Sequence, residues 1–190
     1  MFSIRPYEPR DEAEWLQCRL LSFFDTDYYD DVKIAKTPLP SDSIQLVAEQ
    51  GGRIIGLIDV ELSCELGGNL ASDLATIDSI AVLPDARRRG IGRALFDRAI
   101  SLLPTQVRQL DAWTRESPAA NAWYRESGFV EDQVYLHVYR GEGDPEFAGP
   151  AGLSSPEIAF MHAPLGLEAE LRASYKRVYR CRRYVQSVGV

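Results

Sequence analysis

Between about Asp11 and Phe24 the apolar residues Trp15, Cys18, Leu21 and Phe24 recur on one helical face, with Asp11 in place to cap it. This predicts a first helix, preceded by a short strand over residues 2–5. "FFDTDYYDDV" then sets four aromatics among four aspartates and reads as running into a short second helix, which "KTPLP" ends. "IQLVAEQGGRIIGLIDVEL" is two β-rich runs joined by Gly51-Gly52, a hairpin. "ATIDSIAVLP" reads as a strand stopped by Pro84. A helix follows from about Gly90 to Leu103, with Ile91, Leu95, Ala99 and Leu102 as its apolar stripe. "QLDAW" reads as a strand, "SPAANAWYRES" as a helix closed by Gly128 at C′, and "VYLHVYR" as a strand. Gly141 to Pro156 is rich in Gly and Pro and reads as a loop. Beyond it the pattern gives a helix near 167–174 and a strand near 176–185, with one continuous helix over "ELRASYKRVYRCRRY" as the alternative. The order of elements predicts a mixed α/β sheet with helices on both faces.

Composition narrows the function classes. The 190 residues are 45% hydrophobic and 26% charged, an ordinary globular balance that leads us to expect one domain. No apolar run approaches the roughly 18 to 20 residues that span a bilayer. The N-terminal stretch carries Arg5, Glu8, Arg10, Asp11, Glu12 and Glu14 instead of a signal peptide's apolar core, so no membrane partner and a cytoplasmic location are expected. Cys18, Cys64 and Cys181 are odd in number and widely spaced, which disfavours a disulfide framework. With only His137 and His162 besides, no metal-ligand spacing appears and no metal is expected. The formal charge of −7 disfavours nucleic acid as a partner and suits a cationic substrate.

Against that acidity, "VLPDARRRGIGRALF" concentrates cations at a strand-to-helix turn. The first N–H groups of a helix have no internal acceptor, and its dipole leaves positive charge there. Glycines at 90 and 92 let the backbone close on an anion. A P-loop would need Lys-Ser or Lys-Thr after the last glycine, where Arg93-Ala94 stands. A dinucleotide fingerprint would need a small residue at Leu95. An exposed basic turn without a ligand is the bland alternative.

Two motifs in order decide between these readings. "VLPDARRRGIG" resembles the V-x-P-x-x-[RQ]-x-x-G-x-[GA] signature of the GNAT superfamily of N-acetyltransferases, through Val82, Pro84, Arg87, Gly90 and Gly92. "AANAWYRESGF" resembles its second hallmark, A-x-x-[FLW]-Y-x-x-x-G-F, through Ala120, Trp123, Tyr124, Gly128 and Phe129. The resemblance covers roughly residues 2–140. It implies the acyl-CoA N-acyltransferase fold: a mixed, mostly antiparallel splayed sheet flanked by helices. It divides the chain into an acetyltransferase domain over 1–140 and an extension over 141–190, packed on the same domain.

The resemblance also assigns roles. Acetyl-CoA is the implied cosubstrate. Backbone around Arg88, Arg89, Gly90, Ile91, Gly92 and Arg93 would hold its pyrophosphate, with charge from the arginines including Arg87. Its pantetheine arm would pair with Ile80, Ala81 and Val82 where the Thr76–Val82 strand diverges from the next. Tyr124 matches the tyrosine that protonates the departing thiolate, and a backbone N–H near Val82 would receive the oxyanion. The base falls to Asp78, with Thr76 the other recurrent position and Asp111 and Glu116 as weaker candidates. Where relatives often place a cofactor-binding Asn, seven residues before the tyrosine, this chain has Ser117, which can still bond the cofactor or cap the helix.

In this superfamily the first helices and their connecting loop border the acceptor. Asp27, Tyr28 and Tyr29, with Asp25, Asp30 and Asp31, would then attract a cationic amine by charge and cation–π contact. A solvated acidic loop with inward aromatics is the alternative. The basic tail (Arg172, Lys176, Arg177, Arg180, Arg182, Arg183) reads as a face that is solvated or paired with acidic residues, and a homodimer contact is also open. The expectation is therefore an N-acetyltransferase acting on a small-molecule or peptide amine by direct attack in a ternary complex. The rival is a CoA-binding sensor without turnover.

Overall fold

The computed structural model describes residues 1–40, 42–64, 70–146 and 152–189. The chain divides into two compact units, Met1–Ala112 with Val185–Val190, and Trp113–Tyr184.

In the first unit β1 (Ser3–Pro6) leads through a short 3-10 turn to α1 (Glu12–Phe23). Then come β2 (Ile44–Gln50), β3 (Arg53–Cys64), β4 (Leu70–Val82), α2 (Ile91–Leu102) and the start of β5 (Gln109–Thr114). Strand order follows the chain, β1-β2-β3-β4-β5. The pairs are antiparallel up to β3–β4, and β4–β5 is parallel. The β2–β3 turn has φ of 61° at Gly51 and 79° at Gly52, the left-handed pair that matches strand twist.

Helix α1 buries Trp15 and Cys18 as expected, but Leu21 and Phe24 are exposed while Arg19 and Ser22 are buried. The Arg19 guanidinium donates to the carbonyl and the carboxylate of Asp31, both at 2.6 Å, and lies over Phe23. That bond turns the inward face toward the loop that follows. Asp11 makes no side-chain cap; its carboxylate accepts from Arg5 at 2.6 and 2.9 Å and from the Glu8 N–H, tying β1 to α1. Those bonds hold the Asp11 carboxyl below the ordinary range.

Among the described residues the expected second helix is absent. Residues 24–40 form a strap of turns, because Thr26 Oγ1 donates to Phe23 O and accepts from the Tyr28 N–H, competing locally with helical bonding. In α2, Ile91, Leu95, Phe96 and Ala99 line the inner face, whereas Leu102 is exposed. A Cβ on Gly56 would lie 3.0 Å from Ile91 Cγ2, 3.1 Å from Leu95 Cδ1 and 3.2 Å from the Ala81 carbonyl, so this glycine lets α2 close on β3. Gly56→Ala is expected to lower stability by about 1–3 kcal/mol in urea unfolding, since two core side chains must shift.

The second unit holds the end of β5, then α3 (Pro118–Glu126), β6 (Val130–Arg140), β7 (Ala159–Ala163), α4 (Glu168–Ser174) and most of β8 (Arg177–Ser187), with order β8-β6-β7. Leu136, Val138 and Val178 form its small core, packed by Met161, Ala163, Leu171 and Tyr175. Helix and strand over the tail are as read from the sequence, while β7, short and alternating between half-buried and exposed residues, has no counterpart in that reading. The described part of the 141–156 loop contains neither helix nor strand, and residues 147–151 of that expectation lie outside the described residues. Tail cations pair with acids of their own unit: Arg172 with Glu116 and Glu168, Arg180 with Glu168, Arg182 with Glu131, Arg183 with Asp132. The strands are mixed and mostly antiparallel with helices packed on them, the fold class expected.

Candidate active site

In the first unit the candidate residues gather where β4 loses its partner. The parallel ladder to β5 ends at Ile77↔Ala112, yet β4 runs on to Val82. On its other edge Asp59 opposes Ser79 and Val60 opposes Ile77, so Asp78 has no opposite residue on β3. Asp78 is thus the extra residue of a β-bulge, a device that bends a strand and re-aims a side chain. It is exposed, between buried Ile77 and Ser79. Beyond it, Ile80, Ala81 and Val82 continue without a β5 ladder.

The basic turn follows. Leu83 N–H bonds to Ile55 O, a 3-10 turn spans Pro84–Ala86, and the backbone then adopts positive φ at Arg88 (60°) and at Gly90 (79°). Positive φ is uncommon for a residue with a side chain, and left-handed residues within a turn let successive N–H groups converge. Gly90 is the N-cap of α2, and the first i→i−4 helical bond runs from the Ala94 N–H to Gly90 O. A Cβ on Gly90 would meet nothing within 4 Å, so the space above the turn is open. These residues fit a polyanion such as the pyrophosphate of coenzyme A.

The arginines divide by role. Arg87 donates to Val82 O at 3.2 Å and to Ser22 O at 2.8 Å, fastening the turn to β4 and α1. Arg89 donates to Gln50 Oε1, and Arg93 pairs with Asp97 one turn along α2. All three remain exposed, as does Arg88. Thr76 Oγ1 donates to Asp111 Oδ1 at 2.6 Å, so those two base candidates bind each other, and Glu116 is paired with Arg172.

Two residues that sequence reasoning missed lie next to the bulge. Asp59, 1% exposed, receives the Lys36 ammonium at 2.7 Å. Burial pushes the Asp59 carboxyl up to about 6; Lys36 opposes that shift and the Asp78 charge adds to it. No motif signals the pair, because its members are brought together by the strap.

The second unit carries Tyr124. Ser117 caps α3, its Oγ accepting the Ala120 N–H at 3.5 Å. The helix closes with Gly128 N–H on Arg125 O and Phe129 N–H on Tyr124 O, a Schellman motif around the left-handed Gly128. Buried Tyr124 stacks on Tyr184 at 5.3 Å between centroids and meets Phe129 edge-on at 5.3 Å. Asn121, also missed from sequence, locks this cluster: its Nδ2 donates to the carbonyls of Arg115 and Ser117, and its Oδ1 accepts the Tyr184 hydroxyl at 2.8 Å. Elsewhere in this unit His137 stacks on His162, and burial together with Arg115 and His162 pulls its pKa down to about 4.

On the strap, Tyr28 packs against Phe23 at 5.6 Å and is half-buried, as is Asp27, while Tyr29 is exposed. Asp31 is taken by Arg19. Among the described residues no group of three or more His, Cys, Asp or Glu is placed to hold a metal ion, and no helix is long and apolar enough to cross a membrane.

The fold has many solved counterparts. The chain is similar to the ribosomal-protein-S18-alanine N-acetyltransferase of Escherichia coli (18% identity, TM-score 0.61, covering 100% of this chain and 96% of that one). It is similar also to a GNAT-family acetyltransferase of Streptococcus pneumoniae (17%, 0.64, 100% of both) and to the ribosomal-protein-alanine N-acetyltransferase of Brucella melitensis (17%, 0.58, 98% and 99%). No curated protein matches the chain by sequence. Residues 41–131, which contain the hairpin, the bulge, the basic turn and α3, match the family described as acetyltransferase (GNAT) domain. Over residues 41–131 the chain is therefore similar to that acetyltransferase domain, and its fold is the one these solved acetyltransferases share.

Proposed function

We propose that the protein transfers an acetyl group from acetyl-CoA to a primary amine by direct attack in a ternary complex. The observation that carries this reading is the turn before α2, where positive φ at Arg88 and Gly90 opens onto the uncapped start of a helix. Coenzyme A, when bound, supplies the activated thioester and the anionic pyrophosphate. Backbone N–H groups from Arg88 to Arg93 hold the phosphates, and the Arg88, Arg89 and Arg93 side chains add charge. Arg87 supports them by fixing the turn. Ile80, Ala81 and Val82 offer backbone groups along the unpaired edge of β4, and Ser117 contributes at the start of α3.

Asp78 takes the proton from the acceptor's ammonium; its exposure and its place on the bulge support that role. Tyr124 donates a proton to the leaving sulfur, and a backbone N–H near Val82 stabilises charge on the acyl oxygen. Asp27, Tyr28 and Tyr29 draw in the cationic acceptor. All these residues lie within 1–140, which we take as the acetyltransferase domain, with 141–190 as an extension. The reading needs no metal.

The test is thiol release from acetyl-CoA at mildly alkaline pH across peptides with a free N-terminal alanine, lysine, polyamines and aminoglycosides. The alanine peptides enter because two structural neighbours are ribosomal-protein-alanine acetyltransferases. Release that depends on one amine class is expected. Coenzyme A binding without release on any of them would replace this reading with a non-catalytic CoA-binding module.

A further inference from the structure

Among the described ion pairs, Asp59–Lys36 is the most deeply buried, with side chains 1% and 6% exposed. The Lys36 ammonium also stands 4.7 Å from the Trp15 ring centre and 5.1 Å from that of Tyr7. Asp59 Oδ1 is buried without a hydrogen-bond partner, and so is the hydroxyl of Ser79, its cross-strand neighbour. Stability gives no reason to keep such a group: well-packed apolar residues replace a buried ion pair at little or no loss, and each unsatisfied buried polar atom costs about 1–3 kcal/mol. The location supplies a reason. Asp59 opposes Ser79, the residue after the bulged Asp78, so two acidic residues stand on adjacent strands, near enough for the Asp78 charge to act on Asp59, at the point where β4 leaves β5.

We propose that Asp59 and Asp78 form a coupled carboxylate pair in which Asp59 is the inner, proton-storing member and Lys36 keeps it ionised and ready to receive. The proposal rests on the reading of Asp78 as the base. The proton that leaves the acceptor's ammonium arrives at exposed Asp78 and passes inward to Asp59 Oδ1, past the Ser79 hydroxyl. It returns to solvent by the same path, so no net charge stays behind. Two neighbouring carboxyls do not hold protons equally; the one in the drier place keeps its proton to higher pH. Here that member is Asp59, pushed up to about 6 chiefly by burial. The charged and titratable groups around it are Lys36 and Lys33 from the strap, Asp78 from β4, and Tyr7 beyond β1, itself raised by burial and by Glu12, Asp11 and Asp59. Asp59 acts through Asp78 and is a positioning residue rather than one that touches substrate.

Carboxyl 13C titration of the full chain, with Asp59→Asn and Asp78→Asn used for assignment, tests this without cofactor or acceptor. Asp59 is expected to titrate near pH 6. Its midpoint should fall by about one unit, tenfold in proton affinity, in Asp78→Asn, where a like charge is removed. It should rise in Lys36→Met, or in Lys36→Gln if the methionine variant does not fold. A structural ion pair without coupling would leave the Asp59 midpoint unmoved by Asp78→Asn, and that result overturns the proposal while leaving Asp78 free to be the base. Coupling without any effect of Asp78→Asn on the pH profile of thiol release removes Asp78 from the base role and the proton store with it.

Discussion

Tyr124→Phe is expected to lower turnover about 100- to 10,000-fold, the usual range for loss of a positioned acid, while coenzyme A binds with nearly unchanged affinity. The substitution is clean because of how the ring is held. Tyr124 contributes a flat face to Tyr184 and an edge contact to Phe129, and phenylalanine makes both. The Schellman closure of α3 uses the backbone carbonyl at 124, which does not change. The variant should therefore still unfold in a cooperative transition, with both ring contacts kept. Steady-state kinetics beside isothermal titration with coenzyme A separates the outcomes. Unchanged turnover with chemistry rate-limiting would leave Tyr124 as core packing alone.

The second large effect is at the basic turn. Gly92→Trp puts an indole into the first turn of α2, beside the open space at Gly90. Coenzyme A affinity should fall at least about 100-fold, or about 2.8 kcal/mol, as charge-assisted bonds from the turn to phosphate are blocked. Circular dichroism should report a folded chain, since Gly92 is only half-buried. Titration calorimetry reads the loss; undiminished binding would move the phosphates elsewhere. Removing the charge of Arg88 alone should be milder and weaken further with salt, because that side chain is exposed.

What the sequence made legible was local. Gly51-Gly52, the Gly90 N-cap and the Gly128 closure each state their geometry within a few residues, because left-handed backbone needs glycine. Arg87 was legible as part of the turn but not as its fastener, since Ser22 lies far away in the chain. The strap misled because its aromatic spacing suits a helix, while the Thr26 hydroxyl and the Arg19–Asp31 pair favour turns. Asp59 interrupts an apolar strand, and nothing beside it in the sequence signals its burial. Only Lys36, 23 residues earlier, makes its burial tolerable. Asn121 and Tyr184 likewise meet across 63 residues. Registers, bulges and buried ion pairs depend on such distant partners, and no window on the chain contains them.

The first unit includes Val185–Val190, and the Val188 N–H bonds to Arg108 O at 2.9 Å. The second unit is therefore an insertion, and the first cannot be completed until the chain beyond it has been made. On a ribosome, residues 1–112 emerge with the outer edge of β5 still short of its last partner. Closing a loop of about 80 residues costs roughly 2 kcal/mol more than closing one of ten, so this contact is a late event in folding. Loss of the final residues would be felt first in the unit that was synthesised first.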